Sequence, residues 1–156
     1  MKIIKATVQD ASVIHDMMIQ AFLKYQNENP PSSALDETIQ TVTEGLQNGE
    51  QAFICCVEDQ PVGMVRFRID ENSIYFFRLS VIPERHGQGI AKRILNYLED
   101  YAKQQKMHEL LCKVRMDVPE NIQLYQSIGY HVYEETIVKR ADGASVPVVA
   151  MKKPLC

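Results

Sequence analysis

The sequence predicts an α/β fold in one domain, a mixed central sheet of about six to seven strands flanked by about four helices. Three observations carry that expectation. Short apolar or alternating runs are interspersed with stretches of helical period, an order that a mixed sheet accommodates. Residues 73–82 are almost wholly apolar, as a central strand covered on both faces is. The chain of 156 residues shows no repeat, low-complexity tract or second domain, and it is long enough to bury one proper core.

The elements follow in order. Residues 3–8 read as a short strand. Asp10 is the expected N-cap of a helix carrying Ile14, Met17, Met18, Ala21, Phe22 and Tyr25 at helical spacing. Residues 27–33, with Pro30 and Pro31, break that helix into a loop. A second helix is expected over 35–47, stopped by Asn48-Gly49. Strands at 51–58 and 61–69 are joined by a tight turn at Asp59-Gln60, and the apolar strand 73–82 comes next. The following helix has the apolar face Ile90, Ala91, Ile94, Leu95, Leu98, Tyr101 and Ala102. Residues 108–115 alternate as a strand. Asp117-Val118-Pro119-Glu120 starts a short helix with a cap and an early proline, and Gly129 ends it. Strands at 130–140 and 145–152 flank the turn Ala141-Asp142-Gly143.

Composition excludes several classes. Hydrophobic content of 46% and charged content of 24% are those of a soluble globular protein. A net charge of −3 speaks against a nucleic-acid binder and against attraction to anionic membranes. No apolar run spans a bilayer, and the N-terminus has no signal-peptide core, so a cytoplasmic location is expected. The cysteines Cys55, Cys56, Cys112 and Cys156 have no metal-ligand spacing. No metal is expected, and the thiols read as buried or incidental, with Cys156 exposed at the end.

The most informative stretch is Arg78-Leu79-Ser80-Val81-Ile82-Pro83-Glu84-Arg85-His86-Gly87-Gln88-Gly89-Ile90-Ala91. It reads as a strand, a proline stop, a glycine-bearing loop and a helix. Such a loop turns backbone N–H groups toward one point at a helix N-terminus, where the dipole favours an anion. Gly87 and Gly89 let the backbone approach a bulky ligand. Lys92 and Arg93 stand in the first helical turn, where cations are disfavoured unless an anion binds there. A phosphate-bearing ligand follows. The P-loop pattern fails for want of a closing Lys-Ser/Thr pair, and the dinucleotide pattern fails because Lys92 occupies the place of the third glycine.

The arrangement resembles the central acetyl-CoA-binding motif of the Gcn5-related N-acetyltransferase (GNAT) superfamily. There a strand ending Leu-(Ala/Ser)-Val-x-Pro leads into (Arg/Gln)-x-x-Gly-x-(Gly/Ala). One departure is plain: His86 stands where the family usually has Arg or Gln. A second stretch, Asn121-Ile122-Gln123-Leu124-Tyr125-Gln126-Ser127-Ile128-Gly129-Tyr130, resembles the superfamily's C-terminal signature Leu-Tyr-x-x-x-Gly-(Phe/Tyr). The likeness extends over nearly the full chain. It implies a GNAT-like single domain with a mixed, mostly antiparallel sheet. It further implies acetyl-CoA as co-substrate, with no metal, and transfer of an acetyl group to an amine through a ternary complex.

By that resemblance, Tyr125 supplies a proton to the departing thiolate. Backbone N–H groups of Leu79, Ser80 and Val81 face the thioester and pantetheine, because family members splay this strand from its neighbour. Those of Gly87, Gln88, Gly89, Ile90, Ala91 and Lys92 hold the pyrophosphate, His86 belongs to the same cofactor-binding loop, and Asn121 bonds the pantetheine arm. Each assignment has a plainer rival. Tyr125 shares a helical face with Ile122 and Ile128 and could be a packed structural tyrosine, Asn121 could brace its helix, and His86 could be a loop residue away from the ligand. The general base stays open among Glu58, Asp70, Glu71, Glu84 and water. A noncatalytic acyl-CoA sensor is the competing class, and retention of Tyr125 speaks against it. The family builds its acceptor site from the loop between the first two helices and the last hairpin, here 25–35 and roughly 134–146. Tyr25 and Glu28 in the first loop suit a small cationic amine as well as a peptide N-terminus or lysine. An exposed edge among the last strands would let two copies pair as a homodimer.

Overall fold

The structure is a computed structural model that describes residues 1–155. Its elements are β1 (Lys2–Lys5), α1 (Ala11–Phe22), α2 (Ile39–Gln47), β2 (Gln51–Val57), β3 (Gln60–Asp70), β4 (Ser73–Val81), α3 (Ile90–Gln104), β5 (Glu109–Arg115), α4 (Pro119–Ser127), β6 (His131–Lys139) and β7 (Ser145–Pro154). The seven strands form one sheet in the order β1-β2-β3-β4-β5-β7-β6. All neighbours are antiparallel except β4 and β5. The class is therefore the mixed, mostly antiparallel α/β fold expected, with the apolar strand β4 at its centre. No helix among the described residues is long and apolar enough to cross a membrane.

Strand alternation sends side chains to two cores. Phe53, Cys55, Val65, Phe67 and Phe76 pack beneath Ile90, Ile94, Leu95 and Leu98 of α3 on one face. Ala52, Ile54 and Met64 pack against Ile14, Met17, Met18 and Val42 of α1 and α2 on the other. Two-sided burial explains why β2 and β3 read as nearly continuous apolar runs. Close approach of α3 depends on Gly63. A Cβ there would lie 2.9 Å from Ile94 Cδ1 and 2.9 Å from the Ser80 carbonyl oxygen. Gly63→Ala is expected to destabilise by about 1–3 kcal/mol, read as a lower urea midpoint.

Several boundaries differ from those expected, each for a local reason. β1 stops at Lys5, because Thr7 opens a short 3-10 turn whose N–H donates to Asp10 Oδ2 at 2.8 Å. Asp10 thus serves Thr7 and makes no side-chain cap on α1. Tyr25 lies in a 3-10 turn beyond α1. The second helix begins at Ile39, not at 35, since Thr38 and Thr41 form a capping box. Residues Ser33–Asp36 make a separate 3-10 turn capped by Ser32. The β2–β3 turn falls on Glu58 and Asp59, both at positive φ, one residue earlier than expected. Asp117 does not cap α4. Its carboxylate receives both Arg115 Nε at 3.0 Å and Nη2 at 2.8 Å, and Val118 is the cap residue.

Candidate active site

The site begins where β4 and β5 part. Their pairing covers only Ser73–Glu109, Ile74–Leu110 and Tyr75–Leu111. Beyond Tyr75, β4 keeps β3 as a partner but has none on the β5 side. A bulge in the β3–β4 register between Met64 and Arg66 bends the strand at this point, and Arg78 adopts φ +57° within it. The Ser80 hydroxyl donates to the Arg78 carbonyl at 2.9 Å and braces the bend.

Two cavities meet at the opening. One, of about 420 Å³, is lined by Leu79, Val81, His86, Gly87, Gly89, Ile90, Ala91, Lys92, Asn121 and Tyr125. Nine of the eleven residues expected to bind the cofactor are thus brought together. Ser80 and Gln88 do not line it; Ser80 is buried, with its hydroxyl on the Arg78 carbonyl. The second cavity, of about 510 Å³, runs under the loop after α1 and the β6–β7 hairpin. Phe22, Tyr25, Leu79, Asn121 and Tyr125 line both.

The first cavity has the chemistry of an anion cradle. The first backbone bond of α3 is Arg93 N–H to the Gly89 carbonyl, at 3.1 Å. No backbone acceptor among the described residues serves the N–H groups of Gly87, Gln88, Gly89, Ile90, Ala91 or Lys92. Gly87 and Gly89 hold φ of +79° and +75°, and a Cβ at either would point into open space. Both observations fit a diphosphate laid on the helix N-terminus. His86 has a bracing role: its Nε2 donates to the Val81 carbonyl at 3.0 Å, tying the loop to the strand end. Arg85 also lines the cavity and went unsingled in the sequence, although its place just before the glycines was a usable signal. Arg93 lies outside it.

Tyr125 is carried by α4 to the junction. Its ring meets Phe76 edge-on at 5.7 Å, and the Tyr130 ring lies 5.9 Å away. Among the described residues no hydrogen bond engages its hydroxyl. Burial, helped by Cys112 and Tyr25, pushes the phenol well above its ordinary range, so it stays protonated at neutral pH. The side chain of Asn121, on the same helix, does not cap it.

The expected base candidates are not gathered here. Asp70 and Glu71 line a separate cleft with His108 and Glu109, at the end of β4 remote from the glycine loop. Glu58 is in a hairpin turn and Glu84 is exposed, and neither lines either of the two cavities. The carboxylates that face the larger cavity are Glu28, Glu37 and Glu50. Glu37 receives Arg66 Nη1 and Arg78 Nε, each at 2.9 Å, and Glu50 receives Arg66 at 2.9 Å.

Cys55 and Cys112 are buried free thiols and Cys56 is half-buried; Cys156 lies outside the described residues. Burial raises Cys112 from 9.0 to about 12. The folded protein therefore keeps a proton that the unfolded chain releases. The stability this contributes is complete below pH 9 and lost as pH rises toward 12. A Cys112→Ala variant is expected to lose melting temperature less steeply across that interval than the parent.

Against this geometry, the Acetyltransferase (GNAT) family model matches residues 15–130. The chain belongs to that family, whose members use acetyl-CoA, and it is an N-acetyltransferase. Solved structures agree in fold over nearly the whole chain. The ribosomal-protein alanine N-acetyltransferase of Escherichia coli aligns at TM-score 0.80 and 17% identity, covering 98% of this chain and 92% of that one. A spermidine N-acetyltransferase chimera from Vibrio cholerae aligns at 0.76 and 22%, covering 98% and 94%. An aminoglycoside 6'-N-acetyltransferase complexed with coenzyme A aligns at 0.71 and 16%, covering 99% and 97%. A search of curated proteins returned no match.

Proposed function

We propose that the chain moves an acetyl group from acetyl-CoA to a primary amine by direct transfer, with both substrates bound at once. The observation that supports this best is the junction of the two cavities at Tyr125. A cofactor in the smaller cavity and an amine in the larger one would meet beside that hydroxyl.

Acetyl-CoA supplies the thioester, and the chain's own groups do the rest. Backbone N–H groups from Gly87 to Lys92 hold the diphosphate, with Arg85 and Lys92 beside them. Asn121 steadies the pantetheine arm. Backbone N–H groups of Leu79 and Val81, without a partner strand on the β5 side, receive the charge that develops on the thioester oxygen. Tyr125 gives its proton to the departing thiolate. The amine must be neutral to attack, and among the described residues Glu28 is the carboxylate of the larger cavity that pairs with no arginine or lysine. It takes the amine's proton, directly or through water.

The cofactor assignment is tested by thermal stabilisation. Acetyl-CoA at about a hundred times its Kd is expected to stabilise the protein by about 2.7 kcal/mol. NAD is expected to do nothing. Gly89→Val, which places a β-branched residue at φ +75° in the cradle, is expected to abolish the effect. Equal stabilisation by NAD, or none by acetyl-CoA, would remove the reading.

A further inference from the structure

The larger cavity is strongly cationic in a chain whose net charge is −3. Arg66, Arg68, Arg78, Lys113, Arg115 and Arg140 line it, against the three carboxylates Glu28, Glu37 and Glu50. Most of these cations are already engaged. Arg66 is buried between Glu37 and Glu50. Arg78 holds Glu37, Arg115 holds Asp117, and Arg140 donates to the Pro31 carbonyl at 2.7 Å. Arg68 and Lys113 have no carboxylate partner among the described residues, and both are exposed toward the cavity.

We infer that the amine acceptor carries a carboxylate, and that Arg68 and Lys113 receive it. This rests on the transferase reading above. In register, Arg68 lies opposite Tyr75, and Tyr75 lies beside Leu111, two residues before Lys113. The two cations thus flank the aromatic floor on one face of the sheet. The Arg68 guanidinium stacks over Phe77 at 4.8 Å and over Tyr75 at 5.2 Å. Stacking fixes its plane and leaves its N–H edge free for a two-pronged bond to a carboxylate. The cofactor's phosphates do not need these cations, because the glycine cradle lies in the other cavity. A cation surplus repels a polyamine. It also lowers the pKa of a bound amine, which favours the neutral nucleophile.

The test uses one matched pair differing in the acid group, L-phenylalanine against L-phenylalaninamide, and one contrast of charge, L-glutamate against spermidine. The acids are expected to be acetylated with kcat/KM at least about tenfold higher than their partners, the ratio that one charge-assisted hydrogen bond supplies. Arg68→Gln and Lys113→Gln are each expected to raise KM for the acids about tenfold, to leave KM for acetyl-CoA unchanged and to change kcat/KM for the amide far less than for the acid. Preference for spermidine or the amide, or variants that affect acid and amide alike, would overturn the inference. A calorimetric titration of the coenzyme A complex with N-acetyl-L-phenylalanine and its amide separates carboxylate binding from acetyl transfer. Absence of thiol release with every amine would sink the transfer reading. Equal affinity for acid and amide in the titration would sink this one, whatever the turnover.

Discussion

Tyr125→Phe is expected to lower kcat by about 100-fold, the lower end of what a positioned proton donor contributes, and to leave acetyl-CoA affinity intact. The ring sits against Phe76 and Tyr130 and is almost wholly buried, so the phenylalanine keeps the packing and loses only the hydroxyl. Tyr125 lines both cavities, and among the described residues no hydrogen bond compensates for loss of its hydroxyl. A structural tyrosine would behave differently: the substitution would shift the melting temperature and leave kcat near its parent value. Steady-state rates and a melting curve on the same preparation distinguish the two.

Glu37→Gln is expected to be the most destabilising single change at the site. The Glu37 carboxylate is shared by two arginines, and Arg66 is only 3% exposed. Removing one member of a buried ion pair costs about 3–5 kcal/mol because it strands the other charge. Glu50 still holds Arg66, which places the cost near the lower end. About 3 kcal/mol corresponds to a fall of roughly 6–12 °C in melting temperature for a chain of this size. The effect should reach the active site as well, since Arg78 holds the bend of β4 at positive φ and depends on Glu37 and on Ser33 Oγ. A raised KM for the acceptor with unchanged acetyl-CoA binding is the expected kinetic counterpart.

What could be read from the sequence is what is local along the chain. The glycine loop, its strand and its helix are contiguous, so residues 79–92 declared their arrangement, and Tyr125 declared its helix. Two-sided burial gave β4 its central position. The charge network was hidden for the opposite reason. Arg66 stands 29 residues from Glu37, and Arg78 stands 41 from it, and no periodicity links them. The same distance in sequence hid the base candidates' true places, so Asp70 and Glu71 were near the right strand but at its wrong end. The bond from the Ser80 hydroxyl to the Arg78 carbonyl was hidden as well, because it depends on the left-handed turn at Arg78. Asp10 and Asp117 carried the signature of caps, and a neighbouring threonine and arginine claimed their carboxylates.

In the proposed reaction acetyl-CoA and an amine occupy adjoining cavities and react without a covalent enzyme intermediate. Thiol release from acetyl-CoA, measured as initial rates while both substrates are varied, tests it most directly. Intersecting reciprocal plots, with no thiol released before amine is added, are the expected result. Parallel plots with a burst of thiol in the absence of amine would show a covalent acetyl-enzyme and rule direct transfer out.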